Sequence, residues 1–516
     1  MWHDDAMIFA RDAIQWIDEA ATAHPRQLFL STPEGREVSY AALRELSGRM
    51  AGALEGLGVH PGDRVAVQVE KSVEAVLLYL ACLRMGAVFV PINVANTANE
   101  VEYFLRDSRP RVAVVRPQDR ALIEATAREA GAAAVETLGA DADGSLCDLA
   151  SRSKDFKAQA PMDPNSIAAI IYTSGTTGRS KGAMLTRDNL ASNAAVLAEA
   201  WRFSSRDVLL HTLPLFHIHG LFVAINTVLA SGSSLLLLPK FDAAQTLEYL
   251  PRATVYMGVP THYTRLLQQE SLNRQTTSTL RLFVSGSAPL LAETHREFLQ
   301  RTGHVILERY GMSETMMNAS NPYDGVRLAG SVGPPLQGIS MRVRNGETDA
   351  VDDSANVIGT LEVKGPNVFA GYWRDQEKTR SEFTADGWFK TGDVGRIDEN
   401  GYVHIVGRAK DLVISGGYNV YPKEVETELD SVEGVLESAV FGVPHRDFGE
   451  GVTAAVVAKA GATLSESAII ERVKGRLARY KVPKRILILD ELPRNAMGKV
   501  QKNALRKMFA AIYAGD

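Results

Sequence analysis

The sequence predicts an α/β fold with a large N-terminal domain and a smaller, mobile α+β domain at the C-terminus. Over the first ~160 residues, short apolar runs alternate with helical patterns, which is typical of doubly wound parallel sheets. After about Ile339 strand-like segments follow one another across Gly, Asp and Asn turns, which favours a small antiparallel sheet or barrel. We therefore expect two doubly wound sheets and a small β-barrel in the large domain.

The order of predicted strands and helices along the chain supports this fold class. Arg64–Glu70 (RVAVQVE) has the pattern of a strand, and SVEAVLLYLACLRMG after it has that of a helix closed by Gly86. Later segments repeat the alternation, and a compact α+β segment begins at about Asp411. It includes the predicted helix SESAIIERVKGRLARY. These patterns predict an N-terminal domain over 1–407 and a C-terminal lid domain over 408–516, with a hinge near 408–411.

Composition excludes several classes of function. The 516 residues carry a formal net charge of -5, so no basic surface for nucleic acid or for an anionic membrane is indicated. Two cysteines, Cys82 and Cys147, predict no disulfide framework and fit a reducing cytoplasm. The N-terminus is acidic where a signal peptide would be basic. Pro214 and Asn226 interrupt the most apolar zone of the sequence, so we expect buried strands and helices there and no transmembrane span. We expect a cytoplasmic protein without nucleic-acid partners or stable membrane association; its oligomeric state stays open.

The segment YTSGTTGRSKG, Tyr172–Gly182, is rich in glycines and hydroxyl groups and ends near a lysine. It departs from the Walker pattern, since Ser180 takes the place of the second glycine and Gly182 that of the hydroxyl residue. Its hydroxyls and exposed amides can still surround a triphosphate. Composition alone leaves a plain glycine-rich turn as an equal alternative. GAMLT after the loop predicts a strand, with Thr186 or Asp188 capping the next helix.

As a string, this segment resembles the phosphate-loop signature of the adenylate-forming superfamily, which includes acyl-CoA synthetases, amino-acid-adenylating domains and luciferases. Six further segments resemble the motifs of that superfamily, in the same order along nearly the whole chain. They are LPLFHIHG, ERYGMSET, GTLEVKGPNVFAGYW, GWFKTGDVG, GRAKDLVISGGYNVYPKEVE and PRNAMGKVQK.

The resemblance implies a reaction in two halves. A carboxylate attacks the α-phosphorus of ATP to give an acyl-adenylate and pyrophosphate, and the thiol of coenzyme A then displaces AMP. The carboxylate is already ionised at pH 7 and needs no general base. The protein must supply positioning and positive charge, with Mg²⁺ as the expected cofactor.

The resemblance also implies roles for individual residues. Lys499 is implied to contact the carboxylate and the α-phosphate, and Glu314 to bind Mg²⁺ together with Thr173. Asp393 is implied to hold the ribose hydroxyls, with Arg408 as a second ribose or phosphate contact. The remaining implied ATP contacts are Ser174, Gly175, Thr176, Thr177, Gly178, Lys181, Ser287, Ala288, Glu308, Tyr310, Gly311, Met312 and Ser313.

Domain rotation between the two half-reactions is a further implication. Lys410 falls at the hinge position, and Gly416 and Gly417 can line the tunnel for the thiol of coenzyme A. Acylation of Lys499 by a protein acetyltransferase would block the first half-reaction, because it removes the positive charge.

The identity of the acid depends on fewer residues. Arg265 falls on a helix expected to start near Pro260, and an arginine in the acyl pocket suits a second carboxylate; a surface ion pair is the alternative. Met312 adds bulk that would shorten the pocket. MGVPTHYTRLLQ, SGSAPLLAETHRE and ERYGMSETMMNASNPYDG resemble the malonyl-CoA synthetases, which act on malonate and often methylmalonate.

In that family Arg265 matches the position implied to bind the distal carboxylate. His217 is implied to gate the acyl site and is predicted to be one of the catalytic residues. His219 and Ser287 are further candidates for binding the acid in this polar pocket. The alternatives are a short-chain, medium-chain or aromatic acyl-CoA synthetase, and an adenylation enzyme that loads a free-standing carrier protein. A luciferase-like oxygenase shares the ATP motifs, whereas a non-enzymatic ligand sensor would be expected to lose Lys499, Glu314 or Asp393.

Overall fold

The structure is a computed structural model that describes residues 11–156, 162–173, 180–345, 348, 350–416, 418–495 and 498–513. The chain forms two compact units. The first comprises the described residues up to Ser340 together with Val363–Phe389, and the second comprises Met341–Glu362 and the described residues from Lys390 onward. Within the described residues, no helix is both long and apolar enough to cross a membrane.

The first unit holds an eight-stranded, mostly parallel sheet. Its parallel strands are buried along most of their length, which agrees with the apolar runs of the sequence. The strands in chain order are β1 (Leu28–Ser31), β2 (Glu37–Ser39), β9 (Val208–His211), β10 (Ser234–Leu237), β11 (Val255–Gly258), β12 (Leu282–Ser285), β13 (Leu307–Met312) and β14 (Met316–Ser320). Across the sheet the order is β14-β13-β12-β11-β9-β10-β1-β2, with antiparallel pairs at both edges.

A seven-stranded sheet completes the sheets of this unit. Its central strands are parallel, and the pairs β7–β8 and β8–β17 are antiparallel. The strands are β3 (Arg64–Gln68), β4 (Val88–Pro91), β5 (Val112–Val115), β6 (Ala134–Thr137), β7 (Ile167–Thr173), β8 (Lys181–Thr186) and β17 (Gly371–Tyr372), in the order β17-β8-β7-β4-β3-β5-β6.

Helices cover these sheets, and their ends follow the expected signals. Gly86 closes the helix after β3 in a left-handed conformation (φ 75°), and Thr186 caps the helix after β8 in a capping box with Asn189. The helices are α1 (Ala13–Ala23), α2 (Tyr40–Gly56), α3 (Val73–Met85), α4 (Ala98–Ser108), α5 (Arg120–Glu129), α6 (Ser145–Arg152), α7 (Arg187–Ala200), α8 (Asn226–Ser231), α9 (Ala243–Tyr249), α10 (Pro260–Leu267), α11 (Ala292–Thr302) and α12 (Gln376–Glu382).

The β-rich segment after Ile339 forms a four-stranded sheet in the order β15-β16-β18-β19. Two of its neighbouring strands carry residues of the predicted ribose site, as described below. The strands are β15 (Ser340–Asn345), β16 (Gly359–Lys364), β18 (Phe389–Ile397) and β19 (Val403–Arg408).

The C-terminal part of the chain is an α+β structure with its own buried core. Its sheet has the order β21-β20-β23-β22, and the fifth strand pairs with β23 in parallel. The elements are β20 (Val413–Ser415), β21 (Tyr418–Val420), α13 (Pro422–Asp430), β22 (Val435–His445), β23 (Gly449–Ala458), α14 (Glu466–Lys474), β24 (Arg485–Leu489) and α15 (Lys502–Met508).

The α/β class and the large and small domains are therefore confirmed. One helix is shorter than expected, because SESAIIERVKGRLARY is α-helical only up to Lys474, and a 3₁₀ turn follows at Arg479–Lys481. Gly475 follows directly after Lys474, and glycine is a weak helix former. The domain boundary at 407/408 stays a prediction.

A buried ion-pair group supports the four-stranded sheet. The Glu362 carboxylate is fully buried and accepts from the Nε atoms of Arg342 and Arg344, each at 2.6 Å. We expect Glu362→Gln to lower the free energy of unfolding by about 3 kcal/mol, since it removes the buried negative charge that both guanidinium groups contact.

Chemical denaturation measures this loss. The control is Glu471→Gln, which breaks an exposed pair with Lys474 and should change stability by less than about 0.5 kcal/mol. A Glu362→Gln variant as stable as that control would contradict the assigned role.

Candidate active site

The phosphate loop joins β7 to β8, and the structure describes both of its ends. Thr173, the last residue of β7, pairs with Lys181, the first residue of β8. The ammonium of Lys181 lies 5.6 Å from the centre of the Tyr372 ring. The loop residues predicted to bind ATP, namely Ser174, Gly175, Thr176, Thr177 and Gly178, lie outside the described residues.

Glu314 lies in the turn between β13 and β14 and is only 6% exposed. The hydroxyl of Thr173 donates to its Oε1 at 3.4 Å, and the hydroxyl of Tyr372 donates to the same oxygen at 3.1 Å. Burial, followed by the charge of Glu314, raises the pKa of Tyr372. The structure thus brings together Thr173 and Glu314, the two residues predicted to bind the metal, and adds Tyr372, which sequence reasoning quoted only within a motif.

Thr173 and Glu314 offer oxygen ligands of the kind that Mg²⁺ requires. The described part of the chain contains no group of three or more His, Cys, Asp or Glu side chains that could hold a metal ion. A single buried carboxylate with a neighbouring hydroxyl fits a hard cation that takes most of its oxygen ligands from nucleotide phosphates and water. The site therefore fits Mg²⁺ bound together with ATP.

The backbone around Glu314 is tightly packed and locally strained. A Cβ atom on Gly311 would lie 2.0 Å from the carbonyl oxygen of Met316, so only glycine fits there. Ser287 and Met316 both have a left-handed backbone, with φ of 71° and 51°. Non-glycine residues in this region cost roughly 1 kcal/mol or more and cluster at functional sites. Ser287 is one of the predicted adenine and acid contacts, and it is half-buried.

The predicted nucleotide residues of β13 lie next to this turn. The structure places Tyr310, Gly311, Met312 and Ser313 at intermediate exposure, whereas Glu308 is buried. Ala288, which follows Ser287, is also half-buried.

Histidines form a buried polar group after β9. His219 starts a π-helical segment, its Nδ1 lies 3.4 Å from Ser287 Oγ, and its backbone N–H donates to His217 Nδ1 at 3.2 Å. Burial lowers the pKa of His219 well below its ordinary value, and the pKa values of His211 and His262 to about 3. These three imidazoles are neutral at pH 7, so they offer hydrogen bonds to a substrate and no positive charge.

Two basic side chains lie near this group, and burial lowers the pKa of one of them, Lys71, well below its ordinary value. Arg265 lies on α10, which begins at Pro260 as expected, and its side chain is exposed. The ammonium of Lys71 donates to the backbone oxygen of His211 at 2.8 Å. The charges of both Lys71 and Arg265 lower the pKa of His262, after the larger effect of burial. Lys71 was missed in the sequence because EKS after a strand looks like an ordinary polar turn.

The ring of His262 is itself held in place. It stacks on Phe241 with the ring centres 3.8 Å apart, and its Nδ1 lies 3.0 Å from the hydroxyl of Tyr256. The helix that carries Arg265 is thus fixed against the eight-stranded sheet.

The second unit gathers the predicted ribose and catalytic residues. Asp393 on β18 pairs in register with Arg408 on β19, and Arg408 Nε donates to its carboxylate at 2.9 Å. Asp393 is 3% exposed. Burial, followed by the charge of Arg408, lowers the pKa of Lys499 from 10.5 to about 8, while Asp393 opposes this shift. The three residues therefore lie within electrostatic range of one another, as expected for one charged site.

The other predicted residues of this unit lie at turns. Lys410 is in a 3₁₀ turn directly after β19. Gly416 has a left-handed backbone (φ 60°) and is exposed between β20 and β21. Gly417 lies outside the described residues. The backbone of Lys499 is fixed by two hydrogen bonds with Asn495, one of them to the Asn495 side chain at 2.9 Å.

Comparison with known proteins agrees with this arrangement. The AMP-binding enzyme family matches residues 17–373, and the AMP-binding enzyme C-terminal domain matches residues 424–499. The chain is 54% identical to the solved structure of ATP-bound MatB from Rhodopseudomonas palustris, with a TM-score of 0.94 over 98% of this chain and 100% of that one.

Two related ligases align with this chain over most of its length and over most of their own. The indoleacetate–CoA ligase of Aromatoleum aromaticum is 36% identical over 96% of this chain and 98% of its own. The malonate–CoA ligase of Arabidopsis thaliana is 36% identical over 88% of this chain and 79% of its own.

The chain belongs to the AMP-binding enzyme family. It is an AMP-forming acid–thiol ligase, which joins an acyl group to coenzyme A through an acyl-adenylate at the expense of ATP.

The lowered pKa of Lys499 predicts a pH dependence. The ammonium is charged below about pH 8 and loses its proton above it, so kcat/KM for adenylate formation should fall about tenfold per pH unit on the alkaline side. Lys499→Arg keeps a charge at all these pH values and should remove this decline, even if its rate is lower.

Pyrophosphate release measured from pH 6 to 10 tests this expectation. A decline that persists unchanged in Lys499→Arg would assign it to another group.

Proposed function

We propose that the enzyme ligates malonate, and also methylmalonate, to coenzyme A. The observation that carries this proposal is the charge around the buried histidines. The side-chain charges that act on His262 come from Arg265 and Lys71; burial lowers the pKa of Lys71 well below its ordinary value, so Arg265 is the exposed cation of the two. Positive potential of this kind is complementary to an acid with a second carboxylate.

Arg265 supplies the most suitable group for that carboxylate. Its guanidinium makes no ion pair with another described residue, although the surface-pair alternative would require one. A planar guanidinium can bind a carboxylate through two parallel hydrogen bonds. This observation favours the substrate role over the surface ion pair.

The relatives narrow the acid only in part. Malonate–CoA ligases of Arabidopsis thaliana and mouse are 36% and 35% identical to this chain, and an indoleacetate–CoA ligase is 36% identical. Sequence identity to these three ligases therefore does not distinguish a dicarboxylate from an aromatic acid. The proposal depends on the positive charge near the histidines instead. An aromatic acid is the second candidate, favoured by the indoleacetate–CoA ligase.

The proposed chemistry follows from charge. The ionised carboxylate attacks the α-phosphorus without a general base, while Lys499 neutralises charge on the carboxylate and the phosphate. Asp393 accepts from the ribose hydroxyls, and Tyr310 offers a stacking face to adenine. Glu314 and Thr173 would hold Mg²⁺, which supplies further positive charge at the phosphates when bound.

The second half-reaction needs access for the thiol. In this proposal Gly416 and Gly417 line the path of the pantetheine arm, and the backbone around Lys410 changes conformation between the two steps. His217 gates the acyl site. Acylation of Lys499 by a protein acetyltransferase would stop the first step only.

The choice of acid can be measured by pyrophosphate release with ATP, Mg²⁺ and coenzyme A. Malonate should exceed methylmalonate, acetate, octanoate and indoleacetate at equal concentration, or share first place with methylmalonate. Arg265→Ala should lower kcat/KM for malonate by roughly 10- to 100-fold, the value of hydrogen bonds to a charged group, and leave acetate unchanged.

The matched control is Arg274→Ala, an exposed arginine on a surface turn. It should behave as the unaltered enzyme. Preference for octanoate or indoleacetate would contradict the proposed acid and return Arg265 to a surface role.

The division of labour at Lys499 is tested separately. Lys499→Ala should lose adenylate formation and still transfer the acyl group of a supplied acyl-adenylate to coenzyme A. Lys507→Ala, which changes an exposed lysine nearby in the chain, is the control. Equal loss of both half-reactions in Lys499→Ala would contradict the assignment.

A further inference from the structure

Tyr372 on β17 lies between two oppositely charged groups of the nucleotide site. Its hydroxyl donates to Oε1 of Glu314 at 3.1 Å. The ammonium of Lys181, at the start of β8, lies 5.6 Å from the centre of its ring, which is within the range of a cation–π interaction. One side chain, only 7% exposed, therefore faces both the carboxylate that would hold Mg²⁺ and the lysine of the phosphate loop.

The hydrogen bond from Tyr372 restricts the Glu314 carboxylate. An ionised carboxylate only accepts hydrogen bonds, so the phenol is the donor. The hydroxyl of Thr173 reaches the same oxygen at 3.4 Å, so the phenol makes the shorter of these two contacts. The terminal torsion of a glutamate is broad when nothing restrains it, whereas hydrogen bonds to a charged group are strong. The phenol thus favours one orientation of the carboxylate plane.

The backbone around Tyr372 is joined to the same two parts of the site. β17 pairs in antiparallel with β8, and the N–H of Trp373 donates to the backbone oxygen of Gly182 at 2.7 Å. The N–H of Phe369, three residues before Tyr372, donates to the backbone oxygen of Glu314 at 2.8 Å. This short segment therefore links the strand that follows the phosphate loop to the turn that carries Glu314.

The ring of Tyr372 is itself held in place. Its backbone N–H donates to the hydroxyl of Thr379 on α12 at 2.8 Å, and its ring packs edge-on against Phe369 with the ring centres 4.9 Å apart. A Cβ atom on Gly371 would lie 2.7 Å from the methyl group of Thr379, so glycine permits this close approach. A phenol fixed in this way can restrain a carboxylate instead of following its movement.

We propose that Tyr372 is a positioning residue for ATP, whose hydroxyl orients the Glu314 carboxylate for Mg²⁺ and whose ring holds the Lys181 ammonium beside the phosphate loop. Carboxylates that bind metals are themselves hydrogen-bonded, and loss of such a partner typically costs about 10- to 100-fold in metal affinity. Tyr372 would thus link metal binding to phosphate binding. The inference rests on the proposed metal role of Glu314 and Thr173 and is independent of the identity of the acid.

The test uses Tyr372→Phe and Tyr372→Leu in the full-length enzyme, with calorimetric titration of ATP at a series of Mg²⁺ concentrations. Tyr372→Phe keeps the ring and loses the hydroxyl. The Mg²⁺ concentration at half-maximal effect should therefore rise about tenfold, while ATP affinity without Mg²⁺ stays the same. Tyr372→Leu also loses the aromatic face near Lys181 and should in addition weaken ATP binding without Mg²⁺ by about two- to fivefold.

Pyrophosphate release separates a positioning role from a purely structural one. With the best of the acids compared above and saturating ATP, Tyr372→Phe should recover most of its kcat when Mg²⁺ is raised, because excess ion offsets a weakened site. The matched control is Tyr40→Phe, whose buried phenol on α2 donates to the backbone oxygen of Ser233 at 2.8 Å. It loses a buried hydrogen bond and should lower the thermal midpoint without changing the Mg²⁺ dependence.

Glu314→Gln is the reference for the metal role itself. An unchanged Mg²⁺ dependence of ATP binding in that variant would overturn the assignment of Glu314, and the role of Tyr372 with it. Where Glu314→Gln does weaken the Mg²⁺ dependence, an unchanged or lowered half-maximal concentration in Tyr372→Phe would overturn the role of Tyr372 alone. A loss of kcat that excess Mg²⁺ does not restore would also overturn it. Should one Tyr372 variant fail to fold, the other decides, because both lack the hydroxyl.

Discussion

Repulsion between two anions is the constraint on which this active site depends. An ionised acid must approach the phosphates of ATP closely enough to form a bond, and water alone would keep the two apart. The protein has to provide positive charge that its own carboxylates do not neutralise. In the proposed function, Arg265 of the first unit and Lys499 of the second unit supply this charge.

Burial decides what each group contributes. It keeps the imidazoles of His211, His219 and His262 neutral, so these histidines add no positive charge. In the proposed function, the buried Glu314 would supply the carboxylate oxygen that a Mg²⁺ ion bound with ATP needs.

The register and alternation of the strands determine where the charged side chains of the site lie. The register between β18 and β19 sets Asp393 opposite Arg408, and the antiparallel pair β7–β8 sets Thr173 opposite Lys181. Alternation along β13 sends Tyr310 and Arg309 to different faces of the sheet. Glycines at 286 and 311 leave the space that these side chains and the following turn require.

Much of this arrangement could be predicted from the sequence. Apolar runs and caps located strands such as β3 and helices such as α3, and the motif residues Thr173 and Glu314 proved to be neighbours. Lys71 could not be recognised, because a turn lysine looks ordinary until its partners are known. Whether a charge is paired depends on residues distant in the chain, and local patterns do not carry that information.

The most direct measurement is a crystal structure of the enzyme with a non-hydrolysable ATP analogue and malonate. We expect one carboxylate to face the α-phosphate and the other to lie within about 3 Å of the Arg265 guanidinium. A structure in which the second carboxylate binds away from Arg265 and the buried histidines would contradict the proposed dicarboxylate specificity.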